Sequence, residues 1–386
     1  MVLSQHLTGS PTEAIVHLHK YHENVKKVKK HLHQTWLMAV VKTNAYGHGV
    51  VQISKEAVKA GADRLGVSSV AEGVLLRKEG IRIPIQILGA IPGTLADDAV
   101  AYDLIGSIST KEQALAFSKA AVRHRKWGHV HLKIDTGLHR FGVPPEEAHD
   151  FLEECRGLPN LYWEGVYTHF SHADDGDWQR TESQYEKFLQ TIQALEEKGW
   201  AFPVRHAGGS TIMLERQDMY LDMVRPGISL FGYPPAARQR SILDLEPVME
   251  VKTRILQLHD LSAQTSIGYG GSYTCPSRRK IAVVPVGHGD GYARSLSNRG
   301  QMIVRGQRAG IVGTISLDQT FLDVTDISGV CEGDEVILIG RQHEEQITAY
   351  EVAEWMDSIT DEALASLKER IPRVYSDMDT GKENWK

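Results

Sequence analysis

The chain has 386 residues, of which 41% are hydrophobic and 24% are charged, and its formal net charge is -6. This length and composition indicate a globular protein of about two domains rather than a disordered or fibrous chain. The acidic balance gives no electrostatic reason to expect a nucleic acid or an anionic membrane surface as a partner.

Residues 35–230 alternate short apolar runs with amphipathic segments that are typical of helices. Eight strands are predicted there, namely Trp36–Val41, Arg64–Val67, Ile85–Leu88, Leu104–Gly106, Val130–Ile134, Gly165–Thr168, Val204–His206 and one around Val224. About eight strand-then-helix units in roughly 230 residues indicate a parallel α/β barrel of the (β/α)8, TIM type. A doubly wound open sheet is the alternative.

From about Leu243 the pattern changes to alternating apolar runs separated by glycine turns, which predicts a mostly antiparallel, all-β domain. Two helices are predicted within it, near Tyr350–Ser358 and Asp361–Glu369. We therefore expect a barrel domain over residues 11–240, a β domain over residues 241–376 and a loose polar tail over residues 377–386.

The amino-terminal segment lacks the apolar run of a signal peptide, and no stretch reaches the roughly 20 apolar residues of a membrane span. The three cysteines, Cys155, Cys275 and Cys331, lie far apart and form no CxxC pair. Neither a disulfide framework nor a metal site is predicted, and a cytoplasmic protein is expected.

The apolar run Ala39–Val41 ends on Lys42 and breaks into the glycine-rich loop Thr43–Gly49. A lysine at the end of a buried strand loses hydration, which lowers the pKa of its amine and suits Schiff-base chemistry. On the residues alone, an exposed lysine with a buried stem is the commoner interpretation.

Polar residues also follow four other predicted strands, in the segments Lys133–Arg140, Tyr167–His169, His206–Ser210 and Val224–Ile228. Active sites of such barrels gather at the carboxyl ends of the strands, so these residues would meet on one rim. Each has an ordinary structural interpretation, such as a core histidine or an ion-paired arginine, but together they predict a single site.

The segment VVKTNAYGHG, residues 40–49, resembles the cofactor-lysine motif of the alanine racemases, fold-type III enzymes that use pyridoxal 5'-phosphate. The likeness extends from about Pro11 to Tyr375. It implies the barrel fold, this cofactor, and an isomerase that interconverts L- and D-alanine to supply D-alanine for cell-wall synthesis.

The resemblance also implies roles around the cofactor. Lys42 would hold the cofactor covalently and act as one base at the substrate Cα, and the phosphate would be bound by Tyr46, Ser210, Gly227, Ile228 and Tyr375. Arg225 would face the pyridine nitrogen, with His169 bridging toward the second base. An arginine donates a hydrogen bond without protonating the ring, which makes the ring a weaker electron sink.

Racemisation needs a proton acceptor on one face of Cα and a donor on the other, and the resemblance implies Tyr269 as the second base. A phenol needs nearby positive charge to ionise at neutral pH, which Arg225 could supply through His169. In this family the tyrosine reaches the partner subunit's barrel, so a homodimer with shared active sites is implied.

The resemblance further implies a site for the substrate carboxylate, formed by Arg140 and by a backbone N–H at Leu317 or Asp318. Lys133 matches a position that is carbamylated in some members, where the negative group steers the arginine. An ordinary strand-end lysine in a salt bridge is the alternative.

The chain departs from the family at three positions. Leu317 stands where methionine is usual, Gly209 where asparagine is common, and His288 where a tyrosine narrows the opening to the site. These departures leave open a racemase of serine or of a larger amino acid. A related barrel decarboxylase and a non-enzymatic cofactor carrier are further alternatives, although Cys331 is a poor candidate for a decarboxylase's reactive cysteine and a carrier would lack the β domain.

Overall fold

A computed structural model describes residues 10–377, which form two units. One comprises Lys20–Ala45 and Val50–Glu246, and the other comprises Tyr46–Gly49 with the described parts of Met1–His19 and Pro247–Lys386. The first strand that the structure describes, β1 (Glu13–His17), belongs to the second unit. Apart from Asp377, the predicted loose tail lies outside the described residues.

The first unit is built around eight parallel strands: β2 (Trp36–Val40), β3 (Arg64–Val67), β4 (Ile85–Ile87), β5 (Leu104–Ile108), β6 (Gly128–Lys133), β7 (Leu161–Tyr167), β8 (Val204–His206) and β9 (Met223–Val224). They pair in the order β8-β7-β6-β5-β4-β3-β2-β9. Strands covered on both faces read as continuous apolar runs, and all four residues of Arg64–Val67 are buried.

Backbone hydrogen bonds bridge the two ends of this sheet. The N–H of Asp222 donates to the carbonyl of Arg205 (3.1 Å), and the N–H of Arg225 donates to that of Gly208 (2.9 Å). The sheet is therefore a nearly closed barrel, so the predicted (β/α)8 fold is confirmed and the open-sheet alternative is wrong.

Helices connect the barrel strands, with bounds Leu18–Leu32, Val50–Lys59, Val70–Lys78, Ala96–Ala101, Lys111–His124, Ala148–Cys155, Trp178–Glu197 and Ser210–Glu215. Thr110 and Gln113 form a capping box at the start of Lys111–His124, where each side chain binds the other's backbone N–H. This exchange satisfies two donors that the first helical turn cannot pair internally.

The second unit contains a ten-stranded sheet and a small hairpin. Its strands after β1 are β10 (Met249–Arg254), β11 (Gln257–Leu261), β12 (Ser266–Ile267), β13 (Tyr273–Thr274), β14 (Arg279–Val284), β15 (Gln301–Val304), β16 (Gln307–Ile311), β17 (Thr320–Asp323), β18 (Glu335–Gln342), β19 (Glu345–Ile347) and β20 (Arg373–Ser376). All pairs except β1–β20 are antiparallel, which confirms the predicted β domain. Helices Ala349–Trp355 and Thr360–Ala365 lie close to the two predicted ones.

The amino-terminal residues differ from the expected domain division. Glu13–His17, which the sequence assigns to the barrel domain, pairs with β10 on one side and β20 on the other. These partners lie more than two hundred residues away in the sequence, so no local pattern could indicate the pairing. Between residues 10 and 377, no helix combines the length and apolarity needed to cross a membrane.

Candidate active site

Lys42 lies two residues after the end of β2 and opens an unusual turn. Thr43 to Tyr46 all have positive φ, between 51° and 56°, which is a left-handed conformation that costs about 1–2 kcal/mol per L-residue. Asn44 helps to hold the turn, because its N–H donates to Glu72 Oε1 (3.1 Å) and its Oδ1 accepts from the N–H of Val50 (2.8 Å). Backbone strain of this kind is typical of functional sites.

The loop Tyr46–Gly49 packs within the second unit. Arg373 donates from Nε to the carbonyl of Gly47 (2.8 Å), and a Cβ on Gly49 would lie 1.9 Å from the hydroxyl oxygen of Tyr375. The two tyrosines predicted to bind phosphate therefore belong to the same unit, one in this loop and one on β20.

The residues that follow β8 and β9 meet at Ser210. Its Oγ accepts from the N–H groups of Gly227 (3.1 Å) and Ser229 (3.4 Å), and Ile228 opens the turn Ile228–Phe231. The loops after the seventh and eighth strands are the usual phosphate site of these barrels. The structure thus brings together Ser210, Gly227 and Ile228, and their hydroxyl and backbone N–H groups suit an anion.

Arg225 follows β9 and is held by four acceptors. Its Nη1 donates to His206 Nδ1 (2.9 Å), and its Nη2 donates to the carbonyls of Thr168 (2.9 Å) and Ala207 (2.8 Å) and to His169 Nδ1 (3.3 Å). Burial lowers the pKa of Arg225 to about 10, so the guanidinium stays charged at neutral pH. Its Nε donates to no residue between 10 and 377, so the Nε–H of this rigid cation is available to a ring nitrogen.

His169 lies beside Arg225 as predicted. Burial, and then the charge of Arg225, lowers the pKa of His169 well below its ordinary value. A neutral ring accepts from Arg225 through Nδ1, so its proton lies on Nε2. The charge of Lys42 also acts on this ring, which indicates that both side chains share one environment.

Two residues of the predicted rim, to which the sequence assigned no individual role, support Arg225. His206 accepts from it, and the ring of Tyr167 stacks on His206 with centroids 4.8 Å apart and planes 3° apart. The Tyr167 hydroxyl donates to Ser107 Oγ (2.7 Å). The alternation of side chains along β7 and β8 indicates that Tyr167 and His206 face the barrel interior, but it does not indicate which residues they bind there.

Lys133 is 1% exposed, and its Nζ donates to the carbonyl of Ile134 (2.9 Å). It forms no ion pair with any residue in the described range, so the salt-bridge alternative is wrong. Burial, and then the charge of Arg225, lowers the pKa of Lys133 to about 7. Arg140 lies nearby, since the Lys133 amine and the Arg140 guanidinium both lie 5.8 Å from the Phe141 ring centre.

Tyr269 lies in the turn between β12 and β13 and is 75% exposed. Ser272, which ends this turn, forms a hydrogen bond between its Oγ and Thr314 Oγ1 (2.9 Å). The turn therefore adjoins the loop that leads to Leu317.

The turn Ser316–Gln319 carries Leu317 and Asp318. It is closed by the N–H of Ser316 on the carbonyl of Gln319 (3.0 Å), and Leu317 is 54% exposed. The backbone N–H groups of Leu317 and Asp318 donate to no residue of the described chain, whereas the Asp318 carboxylate pairs with Arg370 (2.7 Å). His288 donates its backbone N–H to the carbonyl of Ser316 (3.0 Å). His288 and Leu317, which both depart from the family pattern, therefore lie side by side.

Two family models together match most of the chain. The model of the alanine racemase N-terminal domain matches residues 16–235, and that of the C-terminal domain matches residues 248–375. The alanine racemase of Halothermothrix orenii is 40% identical over 366 residues, which cover 95% of this chain and 97% of that protein.

Solved structures give the same result. The alanine racemase of Bacillus anthracis, solved with bound L-Ala-P, has a TM-score of 0.92 and 32% identity, and the match covers 98% of this chain and 97% of that one. At 24% identity and a TM-score of 0.86, the alanine racemase of Bartonella henselae, solved with covalently bound pyridoxal phosphate, shows the fold alone; the match covers 95% of this chain and 100% of that one. The chain belongs to the alanine racemase family, isomerases that depend on pyridoxal 5'-phosphate.

Proposed function

We propose that this pyridoxal-phosphate-dependent alanine racemase works by a two-base mechanism in which Lys42 and Tyr269 act on opposite faces of the substrate Cα. The observation that supports this proposal most strongly is the environment of Arg225, a buried cation with four acceptors and an uncommitted Nε–H beside His169. When bound, the cofactor supplies the electron sink that acidifies the Cα–H bond.

The proposed cofactor site uses one group of residues for each part of the molecule. Lys42 would attach the cofactor, Arg225 would donate to the pyridine nitrogen, and the phosphate would be held by Ser210, Gly227, Ile228, Tyr46 and Tyr375. The hydrogen bonds from Gly227 and Ser229 to Ser210 support the phosphate assignment, because they gather donors at one point.

Tyr269 is proposed to act on the barrel of a second copy, which makes the active sites shared in a homodimer. Its exposure of 75% leaves the phenol free to enter another molecule. The neighbouring Leu317 is also exposed, and large exposed apolar side chains grouped on one surface are typical of interfaces.

The substrate carboxylate is proposed to meet Arg140 and the uncommitted backbone N–H groups of Leu317 and Asp318. A carbamate on Lys133 would place a negative group near Arg140 and orient its guanidinium. Leu317 and His288 are proposed to tune which side chain is accepted, since they lie next to each other.

In the cell, the proposed role is to supply D-alanine for cell-wall synthesis in the cytoplasm. The three cysteines are free, two of them buried, which supports a reducing compartment. The match to both family domains disfavours the cofactor carrier, which would consist of a barrel alone.

Proton–deuterium exchange at Cα in D2O tests this proposal. Cofactor-loaded protein is offered single enantiomers of several amino acids, with chiral analysis and a parallel assay for CO2. Exchange with inversion, strongest for alanine, is expected. Inversion strongest for another amino acid would contradict the substrate assignment, and CO2 release without inversion would contradict the racemase.

A further inference from the structure

Three buried polar atoms inside the barrel have no hydrogen-bond partner among residues 10–377. They are His131 Nε2 on β6, Arg64 Nη1 on β3 and Gln86 Oε1 on β4, and none of the three residues is more than 6% exposed. Buried polar atoms in native proteins are nearly always paired, with protein or with ordered water. Three unpaired buried atoms in one barrel therefore indicate that a small molecule or ion binds to them.

Gln86 Nε2 lies 3.5 Å from Ser107 Oγ, and Ser107 is the register partner of His131 on the adjacent strand, so Gln86 and His131 lie on the same face of the sheet. His131 is hydrogen-bonded to His206 on β8 (2.8 Å), and Arg64 Nη2 forms an ion pair across the barrel with Glu164 on β7 (2.6 Å). A Cβ on Gly165 would lie 2.6 Å from His131 Cε1, so the His131 ring lies against β7 beside the residue that follows Glu164. The charges of Glu164 and Arg64 also act on the pKa of this ring.

The proton on the His131 ring follows from Arg225. An arginine only donates, so His206 accepts through Nδ1 and carries its own proton on Nε2. That proton is donated to His131 Nδ1, which leaves the His131 proton on Nε2. Burial lowers the pKa of both histidines, so both rings are neutral. The unpaired atom of His131 is therefore a donor.

The orientation of Gln86 follows from Ser107. Ser107 Oγ donates to the carbonyl of Ile87 (2.6 Å), so it can only accept from the Tyr167 hydroxyl (2.7 Å) and from Gln86 Nε2 (3.5 Å). Gln86 Oε1 is then an acceptor without a donor. The three atoms present two donors, from His131 and Arg64, and one acceptor, from Gln86.

We propose that a single buried water binds between His131, Arg64 and Gln86, accepting two hydrogen bonds and donating one. An anion could accept from both donors but could not donate to Gln86. This water makes His131 a positioning residue. Because the Nε2–H of His131 donates to the water, its Nδ1 remains an acceptor for the Nε2–H of His206. His206 therefore keeps the tautomer in which its Nδ1 accepts from Arg225. This role rests on the proposed placement of Arg225 at the pyridine nitrogen.

A crystal structure of the cofactor-loaded protein grown with bromide, together with 15N NMR of the histidine rings, tests the site. We expect a water about 2.7–3.2 Å from all three atoms, with no anomalous signal, and neutral rings protonated on Nε2 at His131 and His206. A bromide peak, an empty position or a proton on Nδ1 of His131 would overturn the proposal.

Two substitutions separate positioning from packing. Gln at position 131 can accept from His206 and donate to the water, whereas leucine can do neither, so His131→Leu should have a kcat/KM roughly tenfold lower than His131→Gln. The His206 15N signals should keep the Nε2–H pattern only in His131→Gln, and the exposed His33→Gln serves as control. Equal activities with unchanged His206 signals would contradict the positioning role. A wild-type protein that binds cofactor without racemising alanine would refute the proposed function, while the crystal and NMR results still decide the water site.

Discussion

Tyr269 and Lys42 are proposed to act on the same carbon, but only Tyr269 can be altered without removing the cofactor's attachment. Tyr269→Phe should keep the absorbance of bound cofactor and lower kcat at least about a hundredfold, the usual contribution of a general acid or base. Racemisation is followed by circular dichroism from both enantiomers. Tyr273→Phe in the same hairpin is the control, and near-normal turnover by Tyr269→Phe would rule out the two-base mechanism.

Lys133 is buried and forms no ion pair with a residue between 10 and 377, and its pKa is lowered to about 7. Only a neutral amine reacts with CO2, so carbamylation should be favoured above pH 7 and lost progressively below it. Protein equilibrated with 13C-bicarbonate should show a carbamate carbonyl in the NMR spectrum at pH 8 that fades toward pH 6. The signal should be absent in Lys133→Met, and its persistence there would assign the modification to another lysine.

The loop Tyr46–Gly49 shows how an element constrains the proposed phosphate site. Gly49 has φ +102°, and an added Cβ would lie 1.9 Å from the Tyr375 hydroxyl oxygen, whereas Gly61 has a similar φ of +97° and open space around it. Gly49→Ala should therefore lower the free energy of unfolding by about 1–3 kcal/mol more than Gly61→Ala, because only the former must displace a side chain. Urea unfolding measures this difference.

The same pair of variants probes the role assigned to Tyr375. If its hydroxyl binds phosphate, Gly49→Ala should also weaken cofactor binding in a fluorescence titration, and Gly61→Ala should not. Equal cofactor affinities would argue against Tyr375 as a phosphate ligand, whatever the effect on stability.

A homodimer with shared sites makes a prediction that concerns the assembled molecule. Lys42→Ala and Tyr269→Phe are each expected to be inactive alone, but a mixed dimer joins the intact Lys42 of one copy to the intact Tyr269 of the other. Random mixing after dissociation should therefore restore about one quarter of wild-type activity, since half of the dimers are mixed and each has one complete site. No recovery in mixtures that contain mixed dimers would place both bases in one chain.

Local sequence determined the strands and helices, and it determined the position of Lys42 at the end of an apolar run. Arg64–Val67 was predicted as a strand and observed with the same bounds, because periodicity and apolar runs depend on neighbouring residues. Lys42 and Arg225 could be selected because each directly follows an apolar run, and the ends of parallel strands share one rim. Their roles in binding and catalysis remain predictions.

Tertiary structure alone decided the partners of these residues. Three features have no local signature: the pairing of β1 with β10 and β20, the hydrogen bond of the buried Lys133 amine to the carbonyl of Ile134, and the contact between His131 and His206, which are 75 positions apart. A pKa, a tautomer or a buried hydrogen bond depends on which distant groups exclude water or donate a proton. Such properties arise only when the barrel closes and brings its eight strands around one interior.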